Sequence, residues 1–349
     1  MGDDKLAVCC TVCCSLIGIL GLMLITAAFI LAKRPQSNFE CYNQWAVAVD
    51  AKECSPVARK IISLGGNIAD VAVASLLCMG VVWPHVMGIG GGFLAVHYNQ
   101  SGKKSGVLIS REMAPSNIPY VIPTDGLGAG AVAVPGAVSG YSELHTKLAG
   151  KLQWKELFDP AIDLALSGFP VSSVLGRALS EASQMIQDRP DMREVFWRKE
   201  FNRVFKEGEK LLQEGLAAIL IELAKQGTDY FYTGNLAKAI VAKVGPDVIN
   251  ADDLKSYKAE WKPSLTAPLG GGDLQLHTAP PPGSGAIVAR ALQIIKGYDP
   301  KDPRNVTCHR LVEALKHALA QLPELGDTPA MDKVSSPKLE LLESDSSSS

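Results

Sequence analysis

Arg111 and Glu112 stand side by side at the end of the apolar run Val107 to Ser110, just before Pro115 breaks the pattern. An arginine delivered to the end of a buried strand suits an anion clamp, because a guanidinium grips a carboxylate through two parallel hydrogen bonds. Upstream lies a glycine cluster, Gly88, Gly90, Gly91 and Gly92, where the backbone must turn sharply or approach something closely. Phosphate-cradling glycine loops follow a strand and open a helix, whose first N–H groups hold the anion. Here the glycines follow a helical pattern, precede a strand and carry no G-K-[ST], so nucleotide binding is disfavoured. No G-x-S-x-G elbow occurs either. Ser284, in P-G-S-G before a helix, is open to an oxyanion or carboxylate role, but a helix cap is the simpler one. The histidines are scattered, and no paired C-x-x-C spacing occurs beyond the first fourteen residues, so neither a metal nor a cofactor is expected.

The elements that must position Arg111 follow from periodicity. Phe93–Tyr98 and Val107–Ser110 read as two strands of a hairpin around a polar turn from Asn99 to Gly106. Before them, Trp45–Val49 is strand-like and Lys52–Leu64 is helical, stopped by Gly65-Gly66. Asn67 caps a helix running to about Val82, with Pro84 beyond its end. Thr124–Gly140 is mostly Gly, Ala and Val, which predicts tightly packed backbone near a site or a helix start. Helices are expected over Trp154–Leu166, Val171–Met185, Leu216–Gln226, Asn235–Val244, Ala286–Lys296 and Cys308–Leu322, with a short turn at Ala251–Tyr257 and a loop at Pro303–Thr307. The charged stretch Asp188–Leu212 reads as a solvated helical face, and Leu274–Thr278 as a strand. The class is mixed α and β.

The 349 residues suffice for one large domain or two ordinary ones, and a net charge of −2 gives no reason to expect a nucleic-acid partner. Leu6–Ala32 is uncharged for 27 residues, more than the roughly 20 a helix needs to cross a bilayer and longer than a signal-peptide core. An uncleaved anchor is therefore preferred. Lys33 and Arg34 after this run favour a cytoplasmic body. The sequons at Asn99 and Asn305 argue for the opposite side. Cys9, Cys10, Cys13 and Cys14 would lie at the membrane boundary, as palmitoylation sites or as apolar filler. The expected organisation is a short N-terminus (1–5), a transmembrane helix (6–32), a connector (33–44), a folded domain (45–322) and a disordered tail (323–349) rich in proline and serine.

The run M-G-I-G-G-G-F at 87–93 followed by S-R-E-M-A-P at 110–115 resembles the signature region of the γ-glutamyltransferase (γ-glutamyl transpeptidase, glutathione hydrolase) family. Gly65-Gly66-Asn67-Ile-Ala69-Asp70, Ala133-Val-Pro135-Gly136, Phe231-Tyr-Thr-Gly234 and Pro280-Pro-Pro-Gly-Ser-Gly285 continue the likeness in the same order, from about Ala46 to about Gln321. The resemblance implies an Ntn-hydrolase αββα sandwich, formed from a precursor that cleaves itself before a threonine. That new N-terminal threonine would attack the γ-glutamyl bond of glutathione or a conjugate, and water or an acceptor amino acid or dipeptide would take the acyl group. By the same resemblance Arg111 holds the α-carboxylate of the glutamyl group, and Cys54 and Cys78 form a disulfide. Such a disulfide needs an oxidising compartment, so the body is expected outside the cell on a single-pass, type II plasma-membrane anchor.

One departure stands against these matches. The family nucleophile lies in a D-G-G-T-[ST]-H type motif, which is absent here. Thr307-Cys308-His309 has Asn305-Val306 before it rather than two glycines, and belongs with the helix upstream of the cleavage site. No catalytic residue is therefore expected in this chain. The small subunit that completes the sandwich in full-length homologues is missing as well, so the sandwich is expected to be incomplete and the chain inactive alone. A truncated or spliced product, a non-enzymatic partner or interfering subunit, and an incomplete gene model all fit that pattern.

Overall fold

The computed structural model describes residues 44–117, 128–269, 274–299 and 301–321. The chain divides into two units, Met1–Val47 and Ala48–Ser349. Among the described residues, every helix and strand lies in the second unit. The expected membrane span and tail lie outside the described residues, among which no helix is long and apolar enough to cross a membrane.

Two helices open the second unit, α1 (Cys54–Ser63) and α2 (Ile68–Val82). Asn67 starts α2 because its side-chain oxygen accepts the Ala69 N–H at 2.9 Å, while the Asn67 N–H donates to Asp70 at 2.7 Å. This reciprocal box satisfies donors a helix start would otherwise leave orphaned. Asp70 is fully buried yet well satisfied, since it also accepts the Lys151 N–H at 2.9 Å and faces His145 Nε2 at 3.3 Å. Cys54 and Cys78, both buried, are joined as a disulfide between α1 and α2.

The hairpin follows as β1 (Phe93–Asn99) and β2 (Lys104–Ser110), registered from Phe93↔Ser110 to Asn99↔Lys104. Its turn is tighter than expected, because the ladder runs on to Asn99, whose side-chain oxygen accepts the Gly102 N–H at 3.0 Å. A helix start, one of the two readings of Thr124–Gly140, is found at α3 (Ala137–Lys147), which packs on β2. Helix α4 (Trp154–Ser167) continues through Pro160, which sits buried in its interior.

Val171–Met185 is not one helix: β3 (Phe169–Pro170) leads into α5 (Ser173–Glu181), capped by Ser172, and α6 (Ser183–Asp188). The charged stretch is not a single helical face either. It holds α7 (Pro190–Phe196), β4 (Trp197–Arg198), β5 (Arg203–Val204) and β6 (Lys210–Leu211). Strand β4 pairs with β5, and β6 pairs back to β3 through Phe169↔Leu211. Helix α8 (Glu214–Gln226) then packs on α4, burying Leu157, Phe158, Leu220 and Leu223.

After the short α9 (Thr228–Tyr232) come α10 (Asn235–Val244) and α11 (Ala251–Ser256). Strand β7 (Glu260–Lys262) joins the hairpin, giving the antiparallel order β1–β2–β7. Strands β8 (Leu265–Pro268) and β9 (Gln275–Thr278) form a separate pair, tied to β2 where the Ser105 hydroxyl lies 2.9 Å from His277 Nδ1. Helices α12 (Gly285–Ile295) and α13 (Arg304–Leu319) pack together at the end.

Two expectations fail at the edges. Trp45–Val49 is irregular, because an apolar run becomes a strand only where a partner completes its ladder. Pro303–Thr307 is not a loop, since α13 begins at Arg304 with Pro303 before it, where a missing N–H costs nothing.

Candidate ligand site at the end of strand β2

Strand β2 leaves its ladder at Ser110, and several contacts hold the chain there. The Ser110 hydroxyl donates to the Gly136 carbonyl at 2.8 Å. The Gly91 carbonyl accepts the N–H groups of Gly136 and Ala137, each at 2.9 Å, so the glycine loop stitches the start of α3 to the entry of β1. At Gly92 a Cβ would collide with the Ser110 carbonyl oxygen and lie 2.9 Å from Arg111 Cα. Close backbone approach thus explains Gly92 without any ligand.

The residues beyond Ser110 are clamped on both sides. Met113 exchanges backbone hydrogen bonds of 3.1 and 2.8 Å with Val134. Ser116 donates its N–H to Asp253 at 2.9 Å and receives the Asn250 side-chain amide at 3.1 Å. The Tyr257 hydroxyl donates to the Arg111 carbonyl at 2.6 Å. Against this fixed backbone the Arg111 side chain is 52 % exposed, with one long ion pair among the described residues, Nε to Glu112 Oε2 at 3.4 Å.

Beside it opens a cavity of about 420 Å³, with Glu112, His85, Phe93 and Tyr141 among its walls. Both ring nitrogens of His85, and the indole nitrogen of Trp83, are buried without a hydrogen-bond partner among the described residues. Burial pulls the His85 pKa below its ordinary value. Burial likewise raises the Tyr141 phenol. The cavity wall therefore carries the Glu112 side chain beside the glycine-loop backbone, with the His85 ring nitrogens buried behind it.

Ser284 is exposed at the start of α12 and makes no side-chain capping bond. Asn99 and Asn305 are both exposed, Asn99 at the end of β1 and Asn305 in the first turn of α13. The Thr307 hydroxyl donates within that same turn, to the Pro303 carbonyl at 3.3 Å. Among the described residues, no group of three or more His, Cys, Asp or Glu side chains is placed to hold a metal. Sequence reasoning missed Tyr257, Tyr232 and Asp253. A readable trace of them is Asn250-x-x-Asp253, a second capping box whose carboxylate also holds Ser116.

The fold and this site define a mixed α/β protein with an exposed arginine on a clamped backbone at the end of a sheet strand. The gamma-glutamyltranspeptidase family model matches residues 54–347, and the chain belongs to that family. Scoloptoxin SSD14 from Scolopendra dehaani is 35 % identical, over 91 % of this chain and 58 % of its own length. Glutathione hydrolase 5 proenzyme from Mus musculus is 32 % identical, over 96 % of this chain and 61 % of its own. The chain thus spans about three-fifths of the length of these relatives. The solved structure of gamma-glutamyltranspeptidase from Pseudomonas nitroreducens, complexed with L-DON, superposes with a TM-score of 0.74 at 30 % identity, covering 86 % of this chain and 91 % of that one.

Proposed function

We propose that this chain supplies the glutamyl-carboxylate grip of a γ-glutamyltransferase (glutathione hydrolase), with Arg111 holding the α-carboxylate. The observation that carries this reading is the disposition of Arg111, whose backbone is clamped while its guanidinium remains half-exposed beside a cavity. The whole enzyme would cleave the γ-glutamyl bond of glutathione and its conjugates, passing the acyl group to water or to an acceptor amino acid or dipeptide. Its scaffold would be an Ntn-hydrolase αββα sandwich, completed by a small subunit that carries the nucleophilic threonine. Membership of the family supports this reading.

The chain alone is expected to bind without turnover, because it contains no D-G-G-T-[ST]-H motif. The placement of Thr307 fits, since its hydroxyl serves a helix start. We further assign the body to the extracellular face of a type II anchor at 6–32. The Cys54–Cys78 disulfide, which requires an oxidising compartment, and the exposed Asn99 and Asn305 sequons support that assignment.

Calorimetry on the purified chain tests the grip. L-glutamate should bind, whereas γ-aminobutyrate, which lacks the α-carboxylate, should not. Equal binding of the two would remove Arg111 from its role. Release of glutamate from a γ-glutamyl chromogenic substrate, dependent on Thr307, would overturn the division of labour between the two pieces.

A further inference from the structure

We propose that Tyr257 is a positioning residue for Arg111, its hydroxyl fixing the point at which the guanidinium leaves the sheet. The proposal rests on the glutamyl-carboxylate reading of Arg111. Pairing of β2 with β7 ends at Ile109↔Glu260, and pairing with β1 ends at Ser110↔Phe93. Arg111 is therefore the first residue beyond both ladders, and the Tyr257 hydroxyl takes up its carbonyl at 2.6 Å.

The tyrosine is itself held from behind. Its ring stacks on Tyr232 at 5.7 Å between centroids and 7° between planes. The Tyr232 hydroxyl donates to the Pro135 carbonyl at 2.9 Å and accepts the Ser139 N–H at 3.1 Å. Gly136 leaves the necessary room, because a Cβ there would collide with the Tyr257 hydroxyl oxygen and lie 2.8 Å from Cζ. The two ends of the α11 turn thus hold one short segment, Asp253 at Ser116 and Tyr257 at Arg111. Burial raises the Tyr257 phenol, which keeps it protonated and donating.

A core tyrosine needing some carbonyl for its hydroxyl is the simpler explanation. What distinguishes positioning is leverage. The guanidinium sits at the end of a long side chain, so a small backbone rotation at Arg111 is magnified at its tip. A misplacement of about 1 Å is enough to cost up to about a hundredfold at a well-aligned site.

Tyr257→Phe in the full chain tests this, because it removes the hydroxyl and keeps the ring. Amide exchange over residues 111–116 should accelerate several-fold, and L-glutamate affinity should fall about tenfold. In an Arg111→Lys background the same change should have little further effect on affinity, since two residues acting through one contact are not additive. Tyr232→Phe, which loosens the support from behind, should act in the same direction and more weakly. If Arg111→Lys weakens glutamate while Tyr257→Phe and Tyr232→Phe leave affinity and exchange unchanged, the positioning role is overturned and the Arg111 reading survives. If wild-type chain does not bind glutamate, both fall together.

Discussion

Arg111 and Arg203 are both arginines beside carboxylates, and they are held in opposite ways. Arg203 grips Glu209 through both forks, Nη1 to Oε2 at 2.9 Å and Nη2 to Oε1 at 2.7 Å, and donates once more to the Val204 carbonyl. Arg198 approaches the same carboxylate at 3.4 Å, and both guanidinium groups lie over the Phe201 ring. The hydrogen bond from Arg203, the Lys206 N–H and the nearby positive charges pull the Glu209 carboxyl down to about 2. There the side chain is tied and closes a loop of short strands. At Arg111 the backbone is tied and the side chain is left accessible, 52 % exposed against 29 % for Arg203. A guanidinium already engaged in two parallel bonds has little left for a ligand, whereas one on a rigid stem with a loose neighbour has most of its donors to give.

The largest effect should come from the stem. Gly92→Ala drives a methyl into the Ser110 carbonyl and the Arg111 backbone, neither of which can retreat. A loss of about 3 kcal/mol in urea unfolding is expected, the upper end of ordinary overpacking. A neutral substitution would mean that the glycine loop is looser than the close approach implies.

Arg111→Lys should weaken L-glutamate about tenfold, or roughly 1.4 kcal/mol, because one ammonium cannot reproduce the fork. Its unfolding midpoint should not move. Arg203→Lys should invert that pattern, lowering the midpoint by less than Gly92→Ala does and leaving glutamate affinity untouched. Were both substitutions to act on stability alone, the contrast between the two arginines would collapse.

The smallest effect is a pH dependence. The folded Glu209 pKa of about 2 lies below the ordinary glutamate value of about 4.3. Its stabilisation is thus fully present above about pH 4.3 and is lost as pH falls toward 2. Thermal scans across that window should fall more steeply for wild type than for Arg203→Lys. Parallel curves would show that the clip does not carry the shift.

How far the sequence can be read differs between the same two regions. Asn67 and Asp70 announce α2 because a capping box is local, and Asn235–Val244 is legible from its period and its flanking glycines. The hairpin is legible too, apart from the length of its turn. Asp188–Leu212 misleads because its charges look like a solvated face. Arg198, Arg203 and Glu209 are in fact spent on one another, and β6 finds its partner some forty residues upstream at Phe169.

By itself the sequence determined that Arg111 would emerge at the end of an apolar strand behind a glycine cluster, because alternation, turn residues and caps act over a few positions. Only the tertiary structure decided what holds it. Tyr257 is 146 residues away along the chain, and Gly136 faces it from the start of another helix. No local pattern records which buried hydroxyl will meet which unpaired carbonyl. That choice is made when the sheet edge, α3 and α11 pack together and every buried donor must find an acceptor.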